Sequence, residues 1–444
     1  MSGYQSYTAY ASLWNESLPS HWSVLPMYAL AKEKSICGCV DLPLLSVYLD
    51  VGVIPFSAKA EKRTNVTSKD LSKYQRVDCG DFVLNNQQAW RGSVGISFDT
   101  GIVSPAYIVL SMNDMLNSRY ANYLLRSRIM VDQYLINSKS VGSIQRNIYW
   151  PALKRTSVLV PPREEQDQIV RFLDWKVSGI NKLIAVKQKQ IATLKEFMQA
   201  EIEKQLCAYP VVSVVRLKQL GTFFKGGGFS RDNLVEDEEY PAILYGDIYT
   251  QYEYKTSIIT HHIDGTAYSA SRKILKGDIV MAGTGETKDE IGKSILYMGD
   301  QIVAAGGDVI VFHPNGGINV EYLLYQLYSQ AALKHRYING KGDIIVHIYP
   351  TALGNTIITL PGEADQNKVV AIINEIIDQV KKAIAVLTDE ISVLREYRVR
   401  LVADTVTGKI DVRGIEIPEY EFVDEDTDTG NEDGSEEETE EQED

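Results

Sequence analysis

Cysteine and histidine are scarce in this 444-residue chain, and the scarcity removes whole classes of chemistry. The four cysteines, Cys37, Cys39, Cys79 and Cys207, are too few and too scattered for a disulfide framework or a four-ligand zinc site. Cys37 and Cys39, one residue apart, read as two small buried or reduced side chains. The six histidines show no metal-ligand spacing, and no strained Gly-x-Ser-x-Gly turn occurs. The Asn-Pro-Pro and Asp-Pro-Pro motifs of amino-methyltransferases are missing too. No uncharged apolar run approaches the ~18 residues of a membrane span, and Met1 to Glu16 lacks the basic region, apolar core and cleavage pattern of a signal peptide. These absences predict a cytoplasmic protein with no catalytic site and no bound metal of its own.

A net charge of −14 speaks against nucleic acid, since phosphate binding needs cationic surface. Yet Glu416 to Asp444 holds sixteen acids and no Lys or Arg, so the rest of the chain is near neutral and has room for local basic patches. Low hydrophobicity and like-charge repulsion predict a disordered tail there. It serves either to solubilise the chain or to mimic DNA and compete for a binding groove.

What the chain does have is an internal repeat at an offset of 200 residues. Ile148-Tyr149 recurs as Ile348-Tyr349, Ala152-Leu153 as Ala352-Leu353, and Thr156, Pro161 and Gln166 as Thr356, Pro361 and Gln366. The register continues without a gap from Lys182, Ile184, Ala185 and Val186 to Lys382, Ile384, Ala385 and Val386. Within the first copy Ile169, Leu173, Val177, Ile180, Ile184, Ile191, Leu194, Met198 and Ile202 recur at steps of three and four. Val369, Ile373, Ile377, Val380, Ile384, Leu387, Ile391 and Leu394 do so in the second. This is the apolar seam of a coiled coil, and Pro161-Pro162 followed by Glu164-Glu165 is a sound helix start. Each helix should run ~40 residues, roughly 60 Å. A helix with one apolar face needs a partner, and the nearest for the first seam is the second. Topology makes the pair antiparallel if each globular unit sits at the N-terminal end of its own helix.

The segments before the helices carry short β-branched or aromatic runs broken by Gly, Asn and Asp, such as Asp81 to Leu84, Ile102 to Leu110, Asp278 to Met281 and Asp308 to Phe312. The expected fold is α+β, with two mixed domains in pseudo-two-fold arrangement separated by two long antiparallel coiled-coil helices. Its expected parts are a first domain over 1–163, a central helix over 164–208, a second domain over 209–362, a second helix over 363–408, and a C-terminal segment with the acidic tail over 409–444.

These residues resemble the specificity subunits of type I restriction-modification systems. The resemblance lies in LLSVYLDVGVIP (Leu44 to Pro55), the run from Leu71 to Ser97, GIVSPAYIVL (Gly101 to Leu110) and VPPREEQ (Val160 to Gln166). In the second half it lies in YPAILYGDI (Tyr240 to Ile248), the run from Ile274 to Ser294, and LVADTVTGKIDVRG (Leu401 to Gly414). Two departures stand out. Pro361-Gly362 and Asp365 replace Pro161-Pro162 and Glu165, which should loosen the second helix start, and the long acidic tail is not expected of the family. The resemblance implies two target-recognition domains, each reading half of a split, asymmetric site on double-stranded DNA. It implies helices that act as a ruler and dock two methyltransferase subunits using S-adenosylmethionine, with two restriction subunits driven by ATP and Mg in the full complex. A tandem coiled-coil adaptor without useful DNA binding is the alternative.

Major-groove edges are read by bidentate Arg, Lys, Asn and Gln, while phosphates take Lys, Arg, hydroxyls and backbone N–H groups. The run Asn85, Asn86, Gln87, Gln88, Ala89, Trp90, Arg91 is dense in such groups, and reads as a DNA contact or as a hydrogen-bonded structural loop. Lys139, Ser140, Ser143, Gln145 and Arg146 form a second polar, basic loop before Ile148. Asn339, Lys341 and His347 are its equivalent in the second domain, where His347 alone is equally a packed, satisfied side chain. Lys225, Gly226, Gly227 and Gly228 with Ser230 and Arg231 could set backbone N–H groups against a phosphate, or form a plain turn. Thr284, Glu286, Thr287, Lys288 and Lys293 lie in a comparable loop. Gly292-Lys293-Ser294 resembles the end of a nucleotide-binding P-loop, but Thr287 stands where that motif needs Gly, and Ile295-Leu296-Tyr297 reads as strand where it needs helix.

Overall fold

The computed structural model describes residues 3–10, 17–49, 51–58, 70–141, 145–236 and 240–423. The acidic stretch from residue 424 onward lies outside them. Contacts group the chain into two units, Met1–Lys189 with Leu387–Asp444, and Gln190–Val386.

The first unit is built on an antiparallel sheet. The strands of this unit include β1 (Ser23–Pro26), β2 (Ala31–Lys34), β3 (Phe82–Asn85), β4 (Val94–Ile96), β5 (Tyr107–Met112), the hairpin β6 (Lys139–Val141) and β7 (Gln145–Asn147), and β8 (Ser157–Val160). The sheet order is β2-β5-β3-β4, with β2 at an edge, while β8 pairs with β1. Phe82, Val83, Leu84, Val109 and Leu110 are fully buried, as expected of β-branched and aromatic runs on both faces of a covered sheet. Helices α1 (Ser118–Leu125) and α2 (Arg128–Asn137) follow β5. Asn117 caps α1, its side chain accepting from the N–H groups of Arg119 and Tyr120.

The second unit repeats the frame. Its strands are β9 (Ser213–Arg216), β10 (Gly221–Lys225), β11 (Ile279–Ala282), β12 (Thr284–Gly285), β13 (Ser294–Tyr297), β14 (Val309–Pro314), β15 (Val346–His347) and β16 (Ile357–Leu360). The order β10-β14-β11-β13 matches the first sheet, with Lys255–Thr256 added in parallel beyond β13. A further five-stranded sheet, centred on Tyr240–Ile243, has a smaller counterpart in the first unit, where Gln75–Val77 pairs antiparallel with Gly101–Val103, Leu44 bridges Ile102 in parallel, and Leu45–Tyr48 pairs antiparallel with Gly52–Pro55.

Two 44-residue helices complete the fold. The first long helix spans Arg163–Leu206 and the second Glu363–Val406, and both run from one unit into the other. Within the first unit, Gln168 Nε2 donates to the carbonyls of Val412 and Ile415, Arg398 Nη1 donates to Asn181 Oδ1 at 2.8 Å, and Lys187 pairs with Glu390 at 2.5 Å. One number rises as the other falls, so the helices are antiparallel there. Within the second unit, Ile202 and Leu206 share a core with Val369, Val370, Ile373 and Ile377. Ile169, Leu173, Ile180, Ile184, Ile202, Val369, Ile373, Ile377, Val380 and Ile391 are buried, whereas Val177, Ile191, Leu194 and Met198 are only half-buried.

The start of each long helix is held the same way. Gln166 Oε1 accepts from Asn117 N at 2.7 Å and its Nε2 donates to Pro161 O at 2.9 Å, while Gln366 makes the same bonds to Asn319 N at 3.2 Å and Pro361 O at 3.0 Å. Glu165 N and Gln166 N donate to Pro162 O, as Asp365 N and Gln366 N do to Gly362 O. The departure at Gly362 and Asp365 therefore does not loosen the junction. What differs is the carboxylate. Buried Glu165 accepts from Tyr4 and Trp22, whereas among the described residues the Asp365 carboxylate reaches only Lys368.

The first residues of the expected disordered tail are ordered. Val423 N donates to Ser178 Oγ, Asn181 Nδ2 donates to Val423 O, and Lys182 pairs with Glu421, laying this segment along the first long helix. All four cysteines are free thiols, and Cys37 is exposed rather than buried.

Candidate nucleic-acid interface

The run Asn85 to Arg91 turns sharply out of β3. Asn85 Oδ1 accepts from Gln87 N at 3.1 Å, and a short 3-10 turn, Ala89–Arg91, follows and ends at Gly92 in the left-handed region (φ 111°). Trp90 Nε1 donates to Gln87 O at 2.8 Å, so Asn85 and Trp90 shape the loop. Arg91 is exposed, its guanidinium 5.4 Å from the centre of the Trp90 ring. Among the described residues its guanidinium has no hydrogen bond or ion pair, so this group is free to meet another molecule.

Hairpin β6–β7 stands beside this loop. Lys139 pairs with Asn147, Ser140 with Arg146, and the backbone of Gln145 with Val141, while Ser143 lies outside the described residues. Lys139 and Ser140 are exposed and Arg146 half-buried. Just past the hairpin, Ile148 N donates to Asn86 O at 3.0 Å, which joins two candidate clusters far apart in sequence into one surface.

The second unit makes the same junction with other residues. Ile348 N donates to Gly283 O at 2.9 Å. Thr284 pairs with His347 and Gly285 with Val346, and Thr284 Oγ1 lies 2.9 Å from His347 Nδ1. Lys341 and His347 exchange backbone hydrogen bonds, leaving the Lys341 side chain exposed. Asp308, missed in the sequence reading as part of a strand, is the hub of this surface. Its carboxylate takes Lys225 Nζ at 2.7 Å, and it is the one described non-glycine residue at positive φ (59°). The hydrogen bond from Lys225 holds its carboxyl below the usual carboxylate range, helped by Lys225's charge, Thr284 and His347. Lys225, Thr284 and His347 thus converge, although the sequence placed them in three separate motifs.

Other candidates turn inward. Lys293 Nζ donates to Tyr249 O at 3.1 Å, and burial lowers its pKa, so it braces the loop. Gly226 N donates to Val309 O and Gly227 N to Ala305 O, so neither N–H is available to a phosphate. A Cβ on Gly226 would lie 2.3 Å from Gly306 O, which explains the glycine by backbone approach. Ser230 opens a short 3-10 turn, with Ser230 and Arg231 both exposed. Glu286 and Thr287 are exposed and Lys288 half-buried. Strand β13 follows Lys293, in keeping with the rejection of a P-loop.

One signal was invisible in the sequence. Asn86 Oδ1, Gln88 Oε1 and Asn147 Oδ1 are buried and have no hydrogen-bond partner among the described residues. A buried polar atom left unpaired costs about 1–3 kcal/mol. Three amides in that condition on one loop-hairpin surface mark a site whose polar groups are not spent on the fold.

Residues 39–195 and 211–391 each match the family described as type I restriction modification DNA specificity domain. The chain belongs to this family. Its two specificity domains are the two mixed α/β frames just described. The fold is similar to a structure solved in work on complex assembly and conformational transition of the type I R-M system, at 16% identity and TM-score 0.63, over 88% of this chain and 99% of that one. Two further structures match less closely. The HsdS subunit from Thermoanaerobacter tengcongensis matches at 15% identity and TM-score 0.42, over 88% of this chain and 98% of that one. The type I S subunit from M. genitalium matches at 15% and 0.34, over 86% and 96%. No curated protein sequence matches the chain. Among the described residues no helix is long and apolar enough to cross a membrane.

Proposed function

We propose that this chain is the DNA-recognition subunit of a type I restriction-modification complex, with each specificity domain reading one half of a bipartite, asymmetric site. The observation that carries the reading is the duplicated junction. Ile148 N to Asn86 O and Ile348 N to Gly283 O fix equivalent loop-hairpin surfaces on equivalent sheets, yet their side chains are unlike. One frame with different polar groups is what reading two different half-sites requires. In this reading the domains are residues 1–163 and 209–362, and the helices between and after them set the spacer.

The helices also dock two methyltransferase subunits. Leu183, Val186, Val393 and Tyr397 leave apolar surface exposed on the helices of the first unit, which supports a protein partner there. This chain holds no cofactor. S-adenosylmethionine belongs to the methyltransferases, and ATP and Mg belong to restriction subunits that join the full complex in the cytoplasm.

The test is salt dependence of duplex binding by the chain assembled with its methyltransferase subunits. A reader loses affinity steeply and linearly on log–log axes as salt rises. A flat response would leave a protein adaptor.

A further inference from the structure

The first specificity domain carries an open hollow of about 620 Å³ beside its loop-hairpin surface, lined by Tyr28, Lys32, Glu33, Trp150, Lys154 and Arg155 together with Ala31. We infer that this hollow holds the phosphate backbone of the DNA duplex flanking the first half-site, with Lys32, Lys154 and Arg155 as sequence-independent contacts. The inference rests on the DNA-reading function proposed above and adds a site to it.

Four observations carry it. First, among the described residues none of the three cations has an ion pair or a side-chain hydrogen bond, unlike neighbouring Lys34, which is spent on Asp78 and Asp81. Second, Lys32 and Arg155 are exposed and Lys154 is half-buried, beside a Tyr28 ring that is 60% exposed and a half-buried Trp150. Cations mixed with aromatics on an open surface suit a polyanion better than a small enclosed anion. Glu33 is the one acid facing the hollow, so positive charge dominates.

Third, the hollow is continuous with the candidate interface. Trp150 lies three residues beyond the hairpin's Asn147. Glu33 also lines a neighbouring hollow of about 330 Å³ that includes Lys73 and Asn86. A duplex read at the loop would run on past these cations.

Fourth, the second domain sets other residues at the same place. Tyr28 N donates to Lys154 O at 3.0 Å, and Lys218 N donates to Gly354 O at 2.9 Å, which sets the equivalence. By that register Thr222, Gly354 and Asn355 stand where the first domain has Lys32, Lys154 and Arg155. A Cβ on Gly354 would meet Lys218 Cβ at 3.1 Å and Phe223 Cε2 at 3.5 Å, and Asn355 Oδ1 takes Arg216. The second domain therefore has Thr222, Gly354 and Asn355 in place of these three cations, keeps an exposed Lys218 where the first domain has Tyr28, and presents an unlike electrostatic surface to its half-site.

The test compares the wild-type full chain, assembled with its methyltransferase subunits, with K32A/K154A/R155A and with the charge-preserving K32R/K154R/R155K. Each binds a duplex of arbitrary sequence and a duplex carrying the target over a range of KCl. Each lost phosphate contact lowers the slope of log affinity against log salt by about 0.9. The alanine variant should therefore lose about two to three units of slope on both duplexes, keep its preference between them, and regain the slope in the charge-preserving variant. A wild-type slope retained by the alanine variant would overturn the assignment. Weakened methyltransferase assembly with an unaltered DNA slope would assign the hollow to an acidic protein face instead. If the wild type itself binds DNA without salt dependence, the DNA-reading function fails, and this site fails with it.

Discussion

In the proposed reading Arg91 is a recognition residue held ready for its ligand. Its guanidinium rests near the Trp90 ring, Trp90 is pinned through its indole N–H to Gln87 O, and nothing among the described residues takes the guanidinium's hydrogen bonds. Holding a long side chain this way lowers the entropy lost on binding. Gln88 lies in the same loop with its Oε1 buried and unpartnered. Replacing Arg91 or Gln88 with Ala should weaken binding to one half-site by about 1–3 kcal/mol, roughly 5-fold to 150-fold. Competition between duplexes mutated in one half or the other checks this, and equal loss at both halves would contradict independent domains. At this scale the sequence was only partly legible. Amide-rich and basic runs picked out loops that the structure brings together, but composition could not tell that Lys293 and the N–H groups of Gly226 and Gly227 face inward. Nor could it gather Lys32 with Lys154 and Arg155, which are more than a hundred residues apart and meet only because β1 pairs with β8 beside the edge strand β2.

At the scale of elements the duplication was plain, because a 200-residue offset and a seam at steps of three and four survive without any tertiary knowledge. The helix starts were expected one residue from where they lie or on the same residue, at Arg163 and Glu363. What periodicity could not reveal is how a helix is fastened to its domain. Gln166 is 1% exposed and bonds Asn117 N, Met115 O and Pro161 O, so one amide ties the cap of α1 to the first turn of the long helix. Gln166→Ala strands those groups and should destabilise the protein by about 2–3 kcal/mol. In urea unfolding the midpoint should fall with the slope unchanged. A shift within ~0.5 kcal/mol would mean the junction is held by packing instead. The five-stranded sheet around Tyr240–Ile243 was not foreseen, since its strands are two to four residues long and alternate with turns. Short runs of that kind carry too little period to read.

For the whole molecule, the proposal makes helix length a determinant of site length. Inserting one heptad after Gln190 and another after Glu390 keeps both seams in phase. Seven residues add about 10 Å of helix, which is about three base pairs of duplex. The methylated motif should then keep both half-sites and gain about three base pairs of spacer. An unchanged spacer would discredit the ruler. The central claim, that two unlike domains on one duplicated frame read two halves of one site, is tested most directly by mapping N6-methyladenine across the genome of cells carrying this chain and its methyltransferase. The account predicts a single split, asymmetric motif that disappears when this chain is removed. Methylation at one continuous or palindromic motif, or a pattern unaltered by its removal, would contradict it.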